Sequence, residues 1–181
     1  MLQAVPGRRH QSAIVTGKTL GGASIATVQG TIVLALAPLI GVRLAALLVL
    51  QVIGVELLMA VALTAFGVFV ASHIQRMEGF SVVMQLLLFP MLFLSGALFP
   101  LKGLPGWLVV IIRLNPLTYA VDPLRHLVFE LQHMPPAAAE RFAAGVTLFG
   151  YSLSTALELA ITCAFAVGFL ALAVSGFGKT E

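Results

Sequence analysis

The chain opens on a mixed, weakly apolar stretch and then becomes almost continuously hydrophobic, broken at a few positions by proline, glycine and charge. A hydrocarbon core about 30 Å thick takes about 20 apolar residues in a helix, and four runs are long enough. They lie at 19–40, 44–72, 80–99 and 150–174. The first starts weakly, as TLGGASIATVQG, and ends at Pro38 and Gly41. The second, LAALLVLQVIGVELLMAVALTAFGVFVAS, would be about 43 Å long at 1.5 Å per residue, so it tilts or protrudes. The third reads FSVVMQLLLFPMLFLSGALF and the fourth GYSLSTALELAITCAFAVGFLALAV. The predicted fold class is an all-α integral membrane protein, with four transmembrane helices in one membrane domain over 1–181.

Residues 100–149 break the pattern. They are too apolar for an ordinary loop and too interrupted for a span. Asn115 is placed to cap a helix whose first position is Pro116. Asp122 and Pro123 repeat that arrangement. A proline inside a continuous helix removes a hydrogen bond and clashes with the preceding turn, so the sequence predicts a break at Asp122 and a separate short helix over 123–133. Trp107 and Tyr119 suit a membrane interface, where an amphipathic ring is satisfied at both ends. The expectation is a pair of short re-entrant or interfacial helices over 104–133, on or dipping into the outer leaflet and ended by Pro135-Pro136.

Composition agrees with a membrane setting. Hydrophobic residues make up 60% of the 181 and charged residues only 9%, against about 25% in a soluble domain. Mean hydropathy is +1.06. The net charge is +3, with basic residues scattered and few aromatics among them, which gives nucleic-acid binding no support. The single cysteine, Cys163, lies in an apolar run. It has no partner for a disulfide and is expected to be a buried small residue. Arg8 and Arg9 are followed by a polar, glycine-rich stretch, unlike a signal peptide. With four spans both termini share a side. Arg8, Arg9, Lys18, Arg76 and Lys179 then face one side, and Arg43, Lys102, Arg113, Arg125 and Arg141 the other. The count is even, so the cluster flanking the first span decides, placing both termini in the cytoplasm.

Two short stretches imitate nucleotide motifs. IVTGKT, at 14–19, ends like a phosphate-binding loop, but the first glycine of that motif would fall on Ser12, and a span follows where a nucleotide domain is required. LSGA, at 94–97, matches only the start of an ATPase signature and lies in an apolar run. Gly17 and Gly21 form a G-x-x-x-G, continued by Gly22, Ala26 and Gly30 as a small face suited to close helix approach.

Glu56 falls near the middle of the second span, where a charge costs at least about 2.5 kcal/mol. It is a candidate path-lining group together with Gln51, five residues earlier and expected on a nearby face; the reading favoured over that is a structural interhelix hydrogen bond. Glu158, in the outer third of the fourth span, is within expected reach of Arg113, Arg125 or water, in a structural role. His73 and Arg76 read as interfacial anchors. His126 and His133 accompany no nucleophile or acid at useful spacing. No catalytic constellation, cofactor motif or metal-ligand cluster is visible, and an enzyme is not expected.

The stretch FPMLFLSGALFPLKGLPGWLVVIIRLNPLTYAVDPLRHLVF, residues 89–129, resembles the C-terminal part of type-2 ABC transporter permeases, the membrane subunits of bacterial drug, polysaccharide and nodulation-factor exporters. The matching elements are FLSGALFP at the end of a span, LP.W just after it, and NPLTYAVD.LR. VPGRRHQSAIVTGKTLGG resembles the family's P..R..I..GK stretch before its third span. Pro123 departs from the small residue usual in D.LR. Such permeases have six spans, and the resemblance starts this chain just before the third.

The resemblance implies the following. Residues 1–18 form a cytoplasmic coupling region, with residues 2–12 docking on a separate ABC ATPase subunit and Arg8, Arg9 and Lys18 at or near that contact. Residues 104–133, with Trp107, Asn115, Pro116, Tyr119, Asp122 and Arg125 in the motif, are paired re-entrant helices closing the outer end of the path. A second permease copy, the same or different, completes the path in the bacterial inner membrane among its lipids, with both termini cytoplasmic. The alternatives are a truncated permease or membrane scaffold that transports nothing, and an independent channel or secondary transporter.

Overall fold

The computed structural model describes residues 8–42, 44–74, 76–98, 104–131, 147–148 and 151–177. The first helix, α1, runs from Arg8 to Leu36, eleven residues ahead of the predicted first span. No proline interrupts that stretch, and its hydroxyls are absorbed locally. Ser24, Thr27 and Thr31 each donate to the carbonyl four residues back, at 2.8, 2.9 and 2.8 Å. A polar residue satisfied within its own helix does not stop it from crossing a membrane. At 29 residues, α1 is about 43 Å long, more than the hydrocarbon core needs.

A single 3-10 turn, Ala37–Ile40, carries Pro38 and closes on Gly41. Gly41 has φ 86°, and its N–H donates to the carbonyls of Ala37 and Pro38. The left-handed conformation is one that glycine adopts without a steric penalty, so the first span stops where Pro38 and Gly41 placed its end.

Next come α2 (Ala46–Ala71), α3 (Met77–Leu94), α4 (Gly106–Leu114) and α5 (Pro116–Leu131). A two-residue pairing of β1 (Thr147–Leu148) with β2 (Tyr151–Ser152) precedes α6 (Thr155–Phe177). Apart from that pairing, the described chain is helical. Four segments are long and apolar enough to cross a membrane: Ser12–Leu39, Ala46–Ala71, Met77–Leu94 and Thr155–Gly176. This is the all-α, four-span architecture that hydropathy predicted.

The bundle centres on α2, which packs against α1, α5 and α6. Ala60, Ala62 and Ala65 of α2 and Ala166 and Ala173 of α6 are buried. Small residues let helices approach closely enough for van der Waals contact, which drives association where lipid is as apolar as leucine. Phe66 meets Phe169 edge-on with ring centroids 5.0 Å apart. Most of the remaining apolar surface faces outward, with Val33 and Leu50 as examples, as a lipid-solvated bundle requires. Helix α3 has no buried residue and touches α2 and α5 only sparingly.

The hairpin of α4 and α5 corrects one expectation. The chain divides at Asn115, and α5 continues unbroken through Pro123. A proline there costs about 3 kcal/mol of helix stability. Here Pro123 is fully buried in a helix packed on both α2 and α6, and that packing holds the helix across the missing hydrogen bond. Asp122 therefore lies within a helix and caps nothing. A second correction concerns Cys163, which is exposed on α6. An apolar run places a residue in the membrane without saying which side of the helix it occupies.

Candidate functional site

The tip of the α4–α5 hairpin is built by Asn115. Its Oδ1 accepts from the Leu117 N–H at 3.1 Å, which caps α5 behind Pro116. Its Nδ2 donates to the Met91 carbonyl at 2.7 Å. Thr118 Oγ1 donates to the Leu94 carbonyl at 3.4 Å. Met91 and Leu94 belong to the last turn of α3, whose carbonyls have no intrahelical donor, so the start of α5 satisfies the end of α3. The tip lies deep in the bundle. The Tyr119 ring stacks on Phe165 at 6.4 Å, and Asn115 shares a cleft with Phe169. Both phenylalanines flank the midpoint of α6.

Behind the tip lies a group of buried polar residues. Tyr119 is buried within the protein, and its hydroxyl donates to the Arg113 carbonyl at 2.7 Å, which ties the end of α4 to α5. Burial pushes the Tyr119 hydroxyl above its usual range; Arg113 works against that and Glu158 adds to it. Asp122 is 3% exposed, and its Oδ1 lies 3.9 Å from His126 Nε2. Burial lowers the Arg125 guanidinium, and the charge of Asp122 opposes that shift. Glu158 is 1% exposed. Neither of its oxygens has a donor group among the described residues, and its interacting neighbour is the Asp122 carboxyl. The expected arginine partner gives way to a second acid. Trp107, by contrast, is 67% exposed at the start of α4.

A second cluster lies on the seam of α1 and α2. The Glu56 carboxyl fills the notch left by the missing side chain of Gly30, and Thr64 packs on Gly22 in the same way. The small face of α1 is thus used within the chain at Gly22 and Gly30, while Gly17 and Gly21 face open space. On the same two helices a groove of about 360 Å³ is lined by Ser24, Thr27, Val28, Thr31 and Ile32 of α1 and Leu57 of α2. Gln51 is not part of this seam. It lines a separate groove with Leu127 of α5 and Thr155 and Leu159 of α6. Five residues turn a helix by about 140° at 3.6 residues per turn, which is enough to give the two side chains different neighbours.

The Gly-Lys-Thr stretch lies inside α1, and a helix cannot wrap a phosphate as the loop of that motif does. Lys18 is exposed and stands about 15 Å along the helix from Arg8. Arg8 and Arg9 are the first two residues of α1; residues 2–7 lie outside the described residues, as do His133 and Pro135-Pro136. The sequence reading missed Thr118, Met91 and the Glu56–Gly30 contact. The spacing of Gly22, Ala26 and Gly30 was the available signal for the last of these. Among the described residues no group of three metal-ligating side chains occurs.

The family described as ABC-2 type transporter matches residues 3–129, from ahead of α1 to near the end of α5. A protein named as a transport permease, ycf38 of Cyanophora paradoxa, is 39% identical over 70 residues, which cover 39% of this chain and 24% of that protein. Nodulation protein J of Rhizobium meliloti (strain 1021) is 32% identical over 117 residues, 64% of this chain and 44% of its own. The protein of the same name from Rhizobium leguminosarum bv. viciae matches to the same extent. The chain therefore spans less than half the length of these relatives.

Proposed function

We propose that this chain, which belongs to the ABC-2 type transporter family, serves as a membrane permease subunit of an ATP-driven exporter. The observation that carries the reading is the family match over 3–129, which takes in α1, α2, α3, α4 and most of α5. The chain performs no bond-making chemistry. A separate ABC ATPase hydrolyses the nucleotide, and a second permease, identical or different, completes the path. Transport follows from differential binding of the substrate in inward- and outward-open arrangements, whose populations the ATPase shifts.

In this reading the segment through Arg8 and Arg9 docks on the ATPase, and Lys18 continues the same side of the membrane. Both termini face the cytoplasm of a bacterial inner membrane. The α4–α5 hairpin is re-entrant and closes the outer end of the path; its support is a tip that reaches the middle of a helix long enough to span. Glu56, on the α1–α2 seam, and Gln51, in the groove against α5 and α6, are the path-lining candidates.

The test is an affinity pull-down of the tagged chain from its native membrane in mild detergent, with an ATPase assay on the eluate. A co-eluting ATPase that is lost when Arg8 and Arg9 become Glu is the expected result. A chain that elutes without ATPase would overturn the coupled permease and favour a membrane protein that transports nothing by this route.

A further inference from the structure

The buried acid of α6 has no use in the transport reading. Glu158 stands in the first turn of a helix long enough to span the membrane and is almost fully enclosed. Its backbone carbonyl accepts from Thr162 Oγ1 at 2.9 Å, but neither carboxyl oxygen has a donor among the described residues. What neighbours it is a second buried acid, Asp122 of α5. The turn of α5 that carries Asp122 adds another acceptor. In a regular helix the Tyr119 carbonyl takes the N–H four residues on, and that place is held by Pro123, which has none. The seat of α5 on α6 thus gathers acceptors around Glu158 and supplies it no donor from the described residues.

Such a carboxyl has few ways to be settled. As a bare carboxylate in hydrocarbon it is costly, and a second carboxylate beside it adds a repulsion that no water screens. An arginine would settle it by pairing. Arg113 of α4 acts on Tyr119, and Arg125 of α5 acts with Asp122, yet neither gives Glu158 a hydrogen bond. His126, also of α5, lies 3.9 Å from Asp122. Helix α2, packed on both α5 and α6, carries Glu56 as its one ionisable side chain, and that faces Gly30 of α1. The ionisable side chains of α1 all lie within 8–18. A donor small enough for so closed a seat is a hydrogen on the acid itself.

We propose that the seat is a proton-binding site: one proton, carried by Glu158 and shared with Asp122, holds the start of α6 on α5. With it, one acid donates to the other and the pair bears a single charge, which Arg125 and His126 face from α5. Without it, two like charges meet and α5 is pushed from α6. The seat is therefore tight at neutral pH and loosens as the pH is raised. Tyr119, whose hydroxyl burial pushes above its usual range, keeps its own proton over that limb. Where the hairpin closes the outer end of the path, losing the proton unseats the closure; that consequence alone rests on the transport reading.

The full chain in nanodiscs is measured by infrared difference spectroscopy, wild type against Glu158→Gln, at neutral pH and in alkaline steps up to the onset of tyrosine ionisation. The carbonyl stretch of a protonated carboxyl is separate from the carboxylate bands, so the difference isolates one acid. The expected result is a protonated-carboxyl band in the wild type that Glu158→Gln lacks and that fades as the pH rises. Spin labels at Leu114→Cys and Leu157→Cys, both exposed positions, in a Cys163→Ser background report the distance from the hairpin to α6. That distance should lengthen over the same steps in the wild type and hold constant in Glu158→Gln. Asp122→Asn should stay seated at every pH as well, and guards against misfolding of the first variant. No band at neutral pH overturns the proposal, as does a distance that ignores the loss of the band. A distance that answers to sodium against choline at fixed pH assigns the site to a metal ion and also overturns it. None of these readouts involves an ATPase or transport, so their failure leaves the transport reading standing.

Discussion

Asn115 donates its side-chain amide to the backbone carbonyl of Met91, 24 residues earlier, across 2.7 Å. One side chain thereby satisfies the end of a spanning helix and caps α5, because its Oδ1 accepts from the Leu117 N–H at the same time. In hydrocarbon there is no water to take over either bond. The end of the third span and the turn of the hairpin are thus tied together by a single residue.

Replacing Asn115 with Ala removes the cap and the interhelix bond together, and should cost about 1–2 kcal/mol. Asn115→Asp keeps an acceptor for Leu117 but offers no donor to Met91, so it should be destabilised through the interhelix contact alone. Thermal melting in detergent, with the tertiary signal followed separately from helix content, checks both. Equal stability of all three proteins would show that the tip does not rest on Asn115.

The notch at Gly30 gives a sharper contrast between glycines. A methyl group at Gly30 collides with the Glu56 carboxyl, whereas one at Gly17 meets open space. Gly30→Ala should displace the Glu56 carboxyl, the far end of a flexible side chain, and lose up to about 1 kcal/mol, and Gly17→Ala should be neutral or slightly stabilising. Combining Gly30→Ala with Glu56→Ala should recover most of the loss, because the two residues share one contact. A double-mutant cycle on melting temperatures reads this directly.

Glu56→Gln keeps the shape of the side chain and removes its ability to carry charge. If Glu56 lines the path, expression and melting should stay near wild type while transport in vesicles of the assembled complex falls several-fold. Unchanged transport would assign the residue to the packing of α1 on α2 alone.

Neither carboxyl oxygen of Glu158 has a donor among the described residues, and the Asp122 carboxyl is its neighbour. Glu158→Gln supplies one, since its amide can donate to the Asp122 carboxyl, and should hold or raise stability by up to about 1 kcal/mol. Glu158→Ala leaves Asp122 facing a void and should lose about 1–3 kcal/mol. Chemical unfolding in mixed micelles distinguishes the two signs.

What the sequence determined by itself was the local and the averaged. Four apolar runs of sufficient length fixed an all-helical, four-span protein, because the bilayer selects on length and hydropathy summed over a segment. Pro38 with Gly41, and Asn115 with Pro116, marked helix ends because capping involves only residues next to each other in the chain. What the tertiary structure decided was which way each residue faces. A helix in lipid is apolar both where it packs and where it meets solvent, so its periodicity does not separate the two sides. For that reason Cys163 turned outward, Gln51 and Glu56 parted to different grooves, Tyr119 went inside, and Glu158 met an acid in place of an arginine. Pro123 is the other case: its local preference called for a break, and burial between α2 and α6 kept the helix whole.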